Sequence, residues 1–329
     1  MEGRVNYRRL GRTGLEVSEV GYGGWGIGKG QWIGAEDDES LRALNRAIDL
    51  GLNFIDTALA YGEGHSERLV GQVVREREET AYVATKIPPK NRIWPAPAGL
   101  HLGEVFPKEY VRECTETSLS NLSLEAIDVQ QFHVWQDEWV GEGDWLEAVQ
   151  ELKSEGKIRF FGVSINDHQP ENAVWLIETG VVDTVQVIYN VFDQSPEDEL
   201  LPLCQERGVG VIVRVPFDEG ALTARITPET EFEEGDFRNE YFKDDRKREV
   251  YERAQSIARD LGVEEERLPE VALRYVLSHP AISTVIPGMR SVRNVERNMA
   301  VADGEGLSEK QVQKLKSHRW VRNFYPMEA

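Results

Sequence analysis

The sequence predicts a single α/β domain over residues 1–329, a closed (β/α)8 barrel of the TIM type. Three observations predict it. Short runs rich in Val and Ile alternate eight times with helix-patterned segments. The length of 329 residues suits one large barrel. Polar side chains also stand at the C-terminal ends of several runs, the end where such barrels carry their sites.

The elements follow in chain order. Residues 7–18 read as a hairpin around Gly11-Arg12-Thr13-Gly14, placed to plug one barrel end. Strands are expected at 20–24, 53–56, 82–86, 127–133, 158–164, 184–189, 209–215 and 282–286. Helices are expected at 37–50, 66–75, 107–122, 144–155, 170–179, 198–207, 269–277 and 292–301. The strands are apolar on both faces, as parallel strands covered by helices must be. Residues 217–245 form a long insertion after the seventh strand, and ordered loops of that length tend to be functional. The box Ser308-Glu309-Lys310-Gln311 opens one extra C-terminal helix, to about residue 320.

Charge and composition exclude several classes. Acidic residues number 58 against 38 basic ones, a net charge of −20, which is no footprint for nucleic acid. The surplus reads either as an ordinary acidic surface or as adaptation to high salt. No apolar run reaches the ~20 residues of a membrane span. Met1-Glu2-Gly3-Arg4 lacks the apolar core of a signal peptide, so a cytoplasmic protein is expected. Cys114 and Cys204 have no metal-type spacing and read as reduced, structural thiols; no metal site is expected.

One motif competes with the barrel. Gly21-Tyr22-Gly23-Gly24-Trp25-Gly26 satisfies the dinucleotide fingerprint G-x-G-x-x-G. The third glycine should open a helix, but 27–34 is a glycine-rich stretch of low helix propensity. It reads instead as a loop at the mouth of the first barrel strand, where a ligand can come close.

Four residues carry the chemical reading. An apolar strand ends on Asp56, and Tyr61 follows in a Gly-punctuated loop before a helix opens near Ser66. Two later strands end on Lys86 and His133. A carboxylate and a phenol at a strand exit can form a proton-transfer pair, and a lysine and a histidine are the partners such a pair needs.

These residues, their order and the eight units resemble the aldo-keto reductases over nearly the whole length. Asp56-Thr57-Ala58-x-x-Tyr61-Gly62-x-Gly64-x-Ser66-Glu67, Ala84-Thr85-Lys86 and Ile127-Asp128-x-x-x-x-His133 carry the resemblance. Trp25, Gln31 and Ile286-Pro287-Gly288 are similar to the branch that holds the potassium-channel β subunits and many bacterial reductases. The resemblance implies a catalytic tetrad of Asp56, Tyr61, Lys86 and His133, reducing a small-molecule aldehyde or ketone with NADP(H). In it Lys86 lowers the pKa of the Tyr61 phenol, Asp56 holds Lys86 charged, and His133 orients the carbonyl. An alternative on the same fold is a slow-turnover regulatory or redox-sensing subunit that binds NADP(H).

The resemblance also implies a cofactor site. Gly24, Trp25 and Gln31 would line the mouth. Ser164 and Gln186 would hold the nicotinamide carboxamide, and Tyr189 would stack on the ring. Ile165 stands where relatives carry Asn, with Asn166 one place later. Val215, Pro216, Phe217 and Gly220 would wrap the pyrophosphate, with Asp218 and Glu219 pointing away and Arg225 as a nearby cation. Arg238 is a second cation candidate. Gly288, Arg290, Asn294 and Asn298 would take the adenosine end, with Arg297 standing where relatives carry a glutamate. Arg290 and the helix N-terminus beside it would hold the 2′-phosphate. Trp25, Trp94, Trp135, Phe217 and residues 320–325 are candidate substrate walls.

Overall fold

The computed structural model of the chain describes residues 5–320. Two strands, β1 (Tyr7–Arg9) and β2 (Glu16–Ser18), pair antiparallel as the expected hairpin. Eight more follow: β3 (Tyr22–Gly23), β4 (Phe54–Asp56), β5 (Tyr82–Ile87), β6 (Ile127–Phe132), β7 (Ile158–Ser164), β8 (Thr184–Ile188), β9 (Gly210–Arg214) and β10 (Ile282–Val285). They pair in parallel in sequence order. Bridges Val20↔Val285 and Gly23↔Gly288 join the two outer strands, so the sheet closes into a (β/α)8 barrel.

All eight expected helices cover the outside, with ends within a few residues of expectation. The fifth splits into a 3-10 turn, Pro170–Ala173, and a short helix, Val174–Glu178. A sixteen-residue helix, Arg246–Leu261, was not expected. Its buried face carries Arg246, Val250, Ala254, Ile257 and Ala258, a stripe too small and polar to read as core. The C-terminal helix Glu309–Lys316 has the reciprocal Ser308/Gln311 capping box and ends before residue 320.

The barrel interior has two levels. At the N-terminal end Phe54, Ala84, Val129, Ile212 and Ile286 pack on Leu10, Leu15 and Val17 of the hairpin. The hairpin is therefore a plug. A Cβ on Gly11 would sit 2.2 Å from the Gly210 nitrogen, so only glycine lets the plug reach β9. Side chains alternate along a strand. The interior face of Phe54, Ala84, Val129 and Ile212 continues two residues on as Asp56, Lys86, Gln131 and Arg214. The upper level is polar because alternation places these residues inside.

The Gly-rich loop after β3 begins with a 3-10 turn, Trp25–Ile27, and no α-helix forms before Asp37–Asp49. The dinucleotide fingerprint thus lacks its helix. The insertion after β9 folds onto this loop: Phe237 N donates to Gln31 O at 2.9 Å, and the Trp25 ring meets Trp32 and Phe237 edge-on. Cys114 and Cys204 are buried and free. Among the described residues no helix is long and apolar enough to cross a membrane, and no group of residues could hold a metal ion.

Candidate active site

Asp56 ends β4, where a close approach holds the strand. Gly24 N donates to Asp56 O at 2.8 Å, and a Cβ on Gly24 would meet that oxygen at 2.8 Å. Ser66 Oγ donates to Gly24 O, so the helix that follows Tyr61 is tied to the same point. Lys86 lies fully buried on β5. Its Nζ donates to Asp56 Oδ1 at 2.5 Å, Thr57 O at 2.9 Å and the Tyr61 hydroxyl at 3.3 Å. His133 follows β6, its ring 5.7 Å from the Tyr61 ring and edge-on. Its Nδ1 is buried without a hydrogen-bond partner, an unspent polar atom at the mouth.

Charge is distributed unevenly here. Burial works most strongly against the Lys86 ammonium, but Asp56 and Tyr61 together, by charge and hydrogen bond, outweigh it and the lysine pKa moves up. Burial also raises the Tyr61 phenol above its ordinary value; Lys86 offsets this only in part. The expected downward shift is therefore corrected: the phenol stays protonated at neutral pH. Burial, then Lys86, then Arg214, push His133 well below its usual range, so its imidazole is neutral.

Two interior glutamines complete the cluster. Gln186 Nε2 donates to Asp56 Oδ2 at 2.8 Å, and Gln131 Nε2 to the same oxygen at 3.2 Å. Gln186 thus lies a level deeper than expected, with its amide nitrogen spent on Asp56. Gln131 was missed, although its parity with His133 places it on the interior face. Arg214, two residues past Ile212, was missed for the same reason.

Tyr189 is a correction. It stands one residue past β8, three from the inward Gln186, and so faces outward. Its hydroxyl donates to Glu197 Oε1 at 2.7 Å and its ring lies 5.7 Å from Tyr275. It is a core aromatic with no face for a nicotinamide. Asn166 is also engaged elsewhere, pairing both ends of its amide with Ala96. Ser164 ends β7, buried, in register with Gln186.

The loop after β9 winds through left-handed residues: Val215 (φ 55°), Asp218 (47°), Glu219 (55°) and Gly220 (109°). Such a backbone forms a concavity of the kind that takes anions, with Asp218 N and Gly220 N spent inside it on Val215 O and Phe217 O. Asp218 faces away from it, buried against Tyr241 and Arg246. Arg225 is exposed. Past β10, Gly288 leaves open space where a Cβ would stand. Arg290 Nη1 donates to Ile33 O at 2.6 Å beneath the Gly-rich loop. At the N-terminus of helix Val292–Met299, Val292 N donates to Glu39 Oε1 at 3.1 Å and Asn294 N to the capping Ser291 Oγ at 3.4 Å. Asn294 is half-buried, Asn298 buried and Arg297 exposed. Of the candidate walls, Trp94 stands edge-on to His133 at 5.9 Å. Trp135 instead lies in the core against Trp139 and Trp145, because it sits past the strand among the outer helices. Phe217 is half-buried at the head of the loop after β9. Trp320 packs on Phe192, and residues 321–325 lie outside the described ones.

A closed barrel with this cluster at its C-terminal mouth defines an oxidoreductase of one family. The chain belongs to the aldo/keto reductase family, whose profile matches residues 19–319. Members act on small-molecule carbonyl compounds with a nicotinamide cofactor. The chain is 30% identical over 313 residues to the uncharacterized oxidoreductase YqkF of Bacillus subtilis (strain 168), covering 94% of this chain and 95% of that one. It is 29% identical over 306 residues to the NADH-specific methylglyoxal reductase of Escherichia coli (strain K12), covering 88% and 91%. Its structure resembles the holo form of the aldo-keto reductase AKR11C1 from Bacillus halodurans, with TM-score 0.75, 28% identity and coverage of 96% and 97%.

Proposed function

We propose that this chain reduces aldehydes or ketones to alcohols with NADP(H), and that Tyr61 gives the proton to the carbonyl oxygen. The observation that carries this reading is the single Lys86 ammonium bonded at once to Asp56, Thr57 O and Tyr61 Oη, with the His133 ring across from the phenol. The protonated phenol is the form a reductase needs, and Lys86 stabilises the phenolate left behind. The neutral imidazole of His133 offers an N–H to the carbonyl oxygen as charge develops there. Bound NADPH would supply the hydride.

The residues present fit such a cofactor. The left-handed loop 215–220 would meet a pyrophosphate with its Phe217 and Glu219 N–H groups, with Arg225 nearby. Ser164 is available to a carboxamide beside Gln186, and Gly24, Trp25 and Gln31 border the mouth. Gly288, Asn294 and Asn298 would receive the adenosine. Arg290 lies half-buried near Arg238, which is itself paired with Asp236, and a 2′-phosphate would give Arg290 an anionic partner.

The test follows NADPH absorbance with a panel of aldehydes, sugars and quinones. Many turnovers per chain with at least one carbonyl compound are expected. Tight NADPH binding with at most one turnover per chain would move the reading to the slow regulatory alternative.

A further inference from the structure

We propose that Arg214, tied to Asp167, is an electrostatic positioning residue of the proton-transfer site, a fixed cation at the barrel mouth acting through space on Tyr61 and His133. The inference rests on the reading that these two residues serve the proton step.

Arg214 ends β9, and its parity with the interior residue Ile212 turns it toward the barrel axis. Its guanidinium is anchored on the neighbouring strand exit: Nη2 donates to Ile165 O at 2.8 Å and to Asp167 Oδ1 at 2.5 Å. Its side chain is 19% exposed, so water screens it weakly. A two-point anchor at a strand end gives a charge of fixed position, as electrostatic preorganisation requires.

The surrounding charges can be named element by element. Tyr61 faces Lys86 from β5, Asp56 from β4 and Arg214 from β9. His133 faces Lys86 and Arg214. Arg214 itself faces Asp167 after β7 and Glu219 in its own following loop. Lys86 is neutralised by Asp56 in a buried pair. Arg214 is thus a second cation for the phenol and the imidazole, tuned by a carboxylate with greater exposure to water, 29% for Asp167 against 2% for Asp56. A cation there favours phenolate over phenol and disfavours imidazolium. Both effects serve one step: Tyr61 gives up its proton more readily, and His133 keeps a neutral N–H for the carbonyl oxygen.

The experiment uses the full chain. In the cofactor-free protein the His133 imidazole is titrated by NMR, with His133→Gln assigning its resonance. The pH profile of kcat/KM is measured beside it. Arg214→Gln should move the His133 titration and the acid limb to higher pH, and lower turnover at pH 7 on the order of tenfold, a fraction of the ~10²–10⁴ that general acid catalysis contributes. Arg214→Lys should stay with the wild type. Asp167→Asn removes the compensating negative charge and should move the titration to lower pH. Opposite movement by these two charge variants is something a merely structural role does not produce. The proposal is overturned if Arg214→Gln and Arg214→Lys titrate alike, or if Arg214→Gln and Asp167→Asn move together. Should Arg214→Gln not fold, Asp167→Asn and Arg214→Lys still decide the sign. Full turnover in Tyr61→Phe would instead remove the underlying reading.

Discussion

Lys86 Nζ sits 2.5 Å from Asp56 Oδ1, and the two side chains are 0% and 2% exposed. A buried ion pair is held together by the cost of exposing either charge alone to an apolar surround. Asp56→Asn should therefore destabilise the chain by roughly 3–5 kcal/mol, the usual cost of orphaning one buried partner. The double variant Asp56→Asn/Lys86→Met should lose less than the two single losses combined, because no charge is left stranded. Urea unfolding of the three variants checks both expectations.

Tyr61→Phe should leave NADPH affinity near that of the wild type and lower turnover by ~10²–10⁴-fold. Cofactor fluorescence titrated beside kcat separates binding from chemistry. A variant keeping most of its turnover would remove Tyr61 as the proton donor.

Arg290→Ala should weaken NADPH binding by roughly ten- to hundredfold, since a charged hydrogen bond is worth about 1.5–3 kcal/mol. NADH lacks the 2′-phosphate and its affinity should stay unchanged. Calorimetric titration of both cofactors decides; equal losses would place Arg290 away from the phosphate, and a wild-type preference for NADH would end the NADP(H) assignment.

Burial, with Asp218 and Asp167 beside it, pushes the Glu219 carboxyl up to about 8, from an ordinary 4.5. The folded chain thus keeps this proton where the unfolded chain has lost it. The contribution to stability is complete below pH 4.5 and declines as pH rises through about 8. Glu219→Gln should flatten the fall in unfolding free energy across that window, read from denaturant melts at stepped pH.

Salt should raise the melting temperature. A net charge of −20 repels itself, and the Debye length shrinks to about 3 Å at 1 M. Calorimetry from low to molar KCl should show a rising Tm; a flat curve would mean that the acidic surface is already balanced locally by its ion pairs.

Most of the barrel was legible because eight apolar runs and eight amphipathic segments alternate, broken only by the insertion after β9. The helix Arg246–Leu261 was not, since Arg246 and Ala254 occupy its buried face and hide the apolar stripe. Asp56, Tyr61, Lys86 and His133 could be singled out by residue type at strand exits. Arg214 could not, because an arginine at a strand end reads as solvated until the parity of Ile212 turns it inward. Tyr189 failed in the opposite way. Its residue type suited a ring contact, but its odd offset from Gln186 sends it toward Tyr275.

The hairpin plug sets an order of events during folding. Gly11 can seat only against Gly210, and Leu10 and Val17 only against a floor that includes Ile212 and Ile286. The hairpin is made well before β9 and β10 and is therefore among the last segments to find its place. Until β9 and β10 emerge, Leu10, Leu15 and Val17 wait in water beside the open edge of an unclosed sheet. Contacts of such long sequence separation slow folding and lengthen the exposure of apolar surface. Agents that bind exposed apolar chain should act on this protein mainly during synthesis, before β9 and β10 have been made.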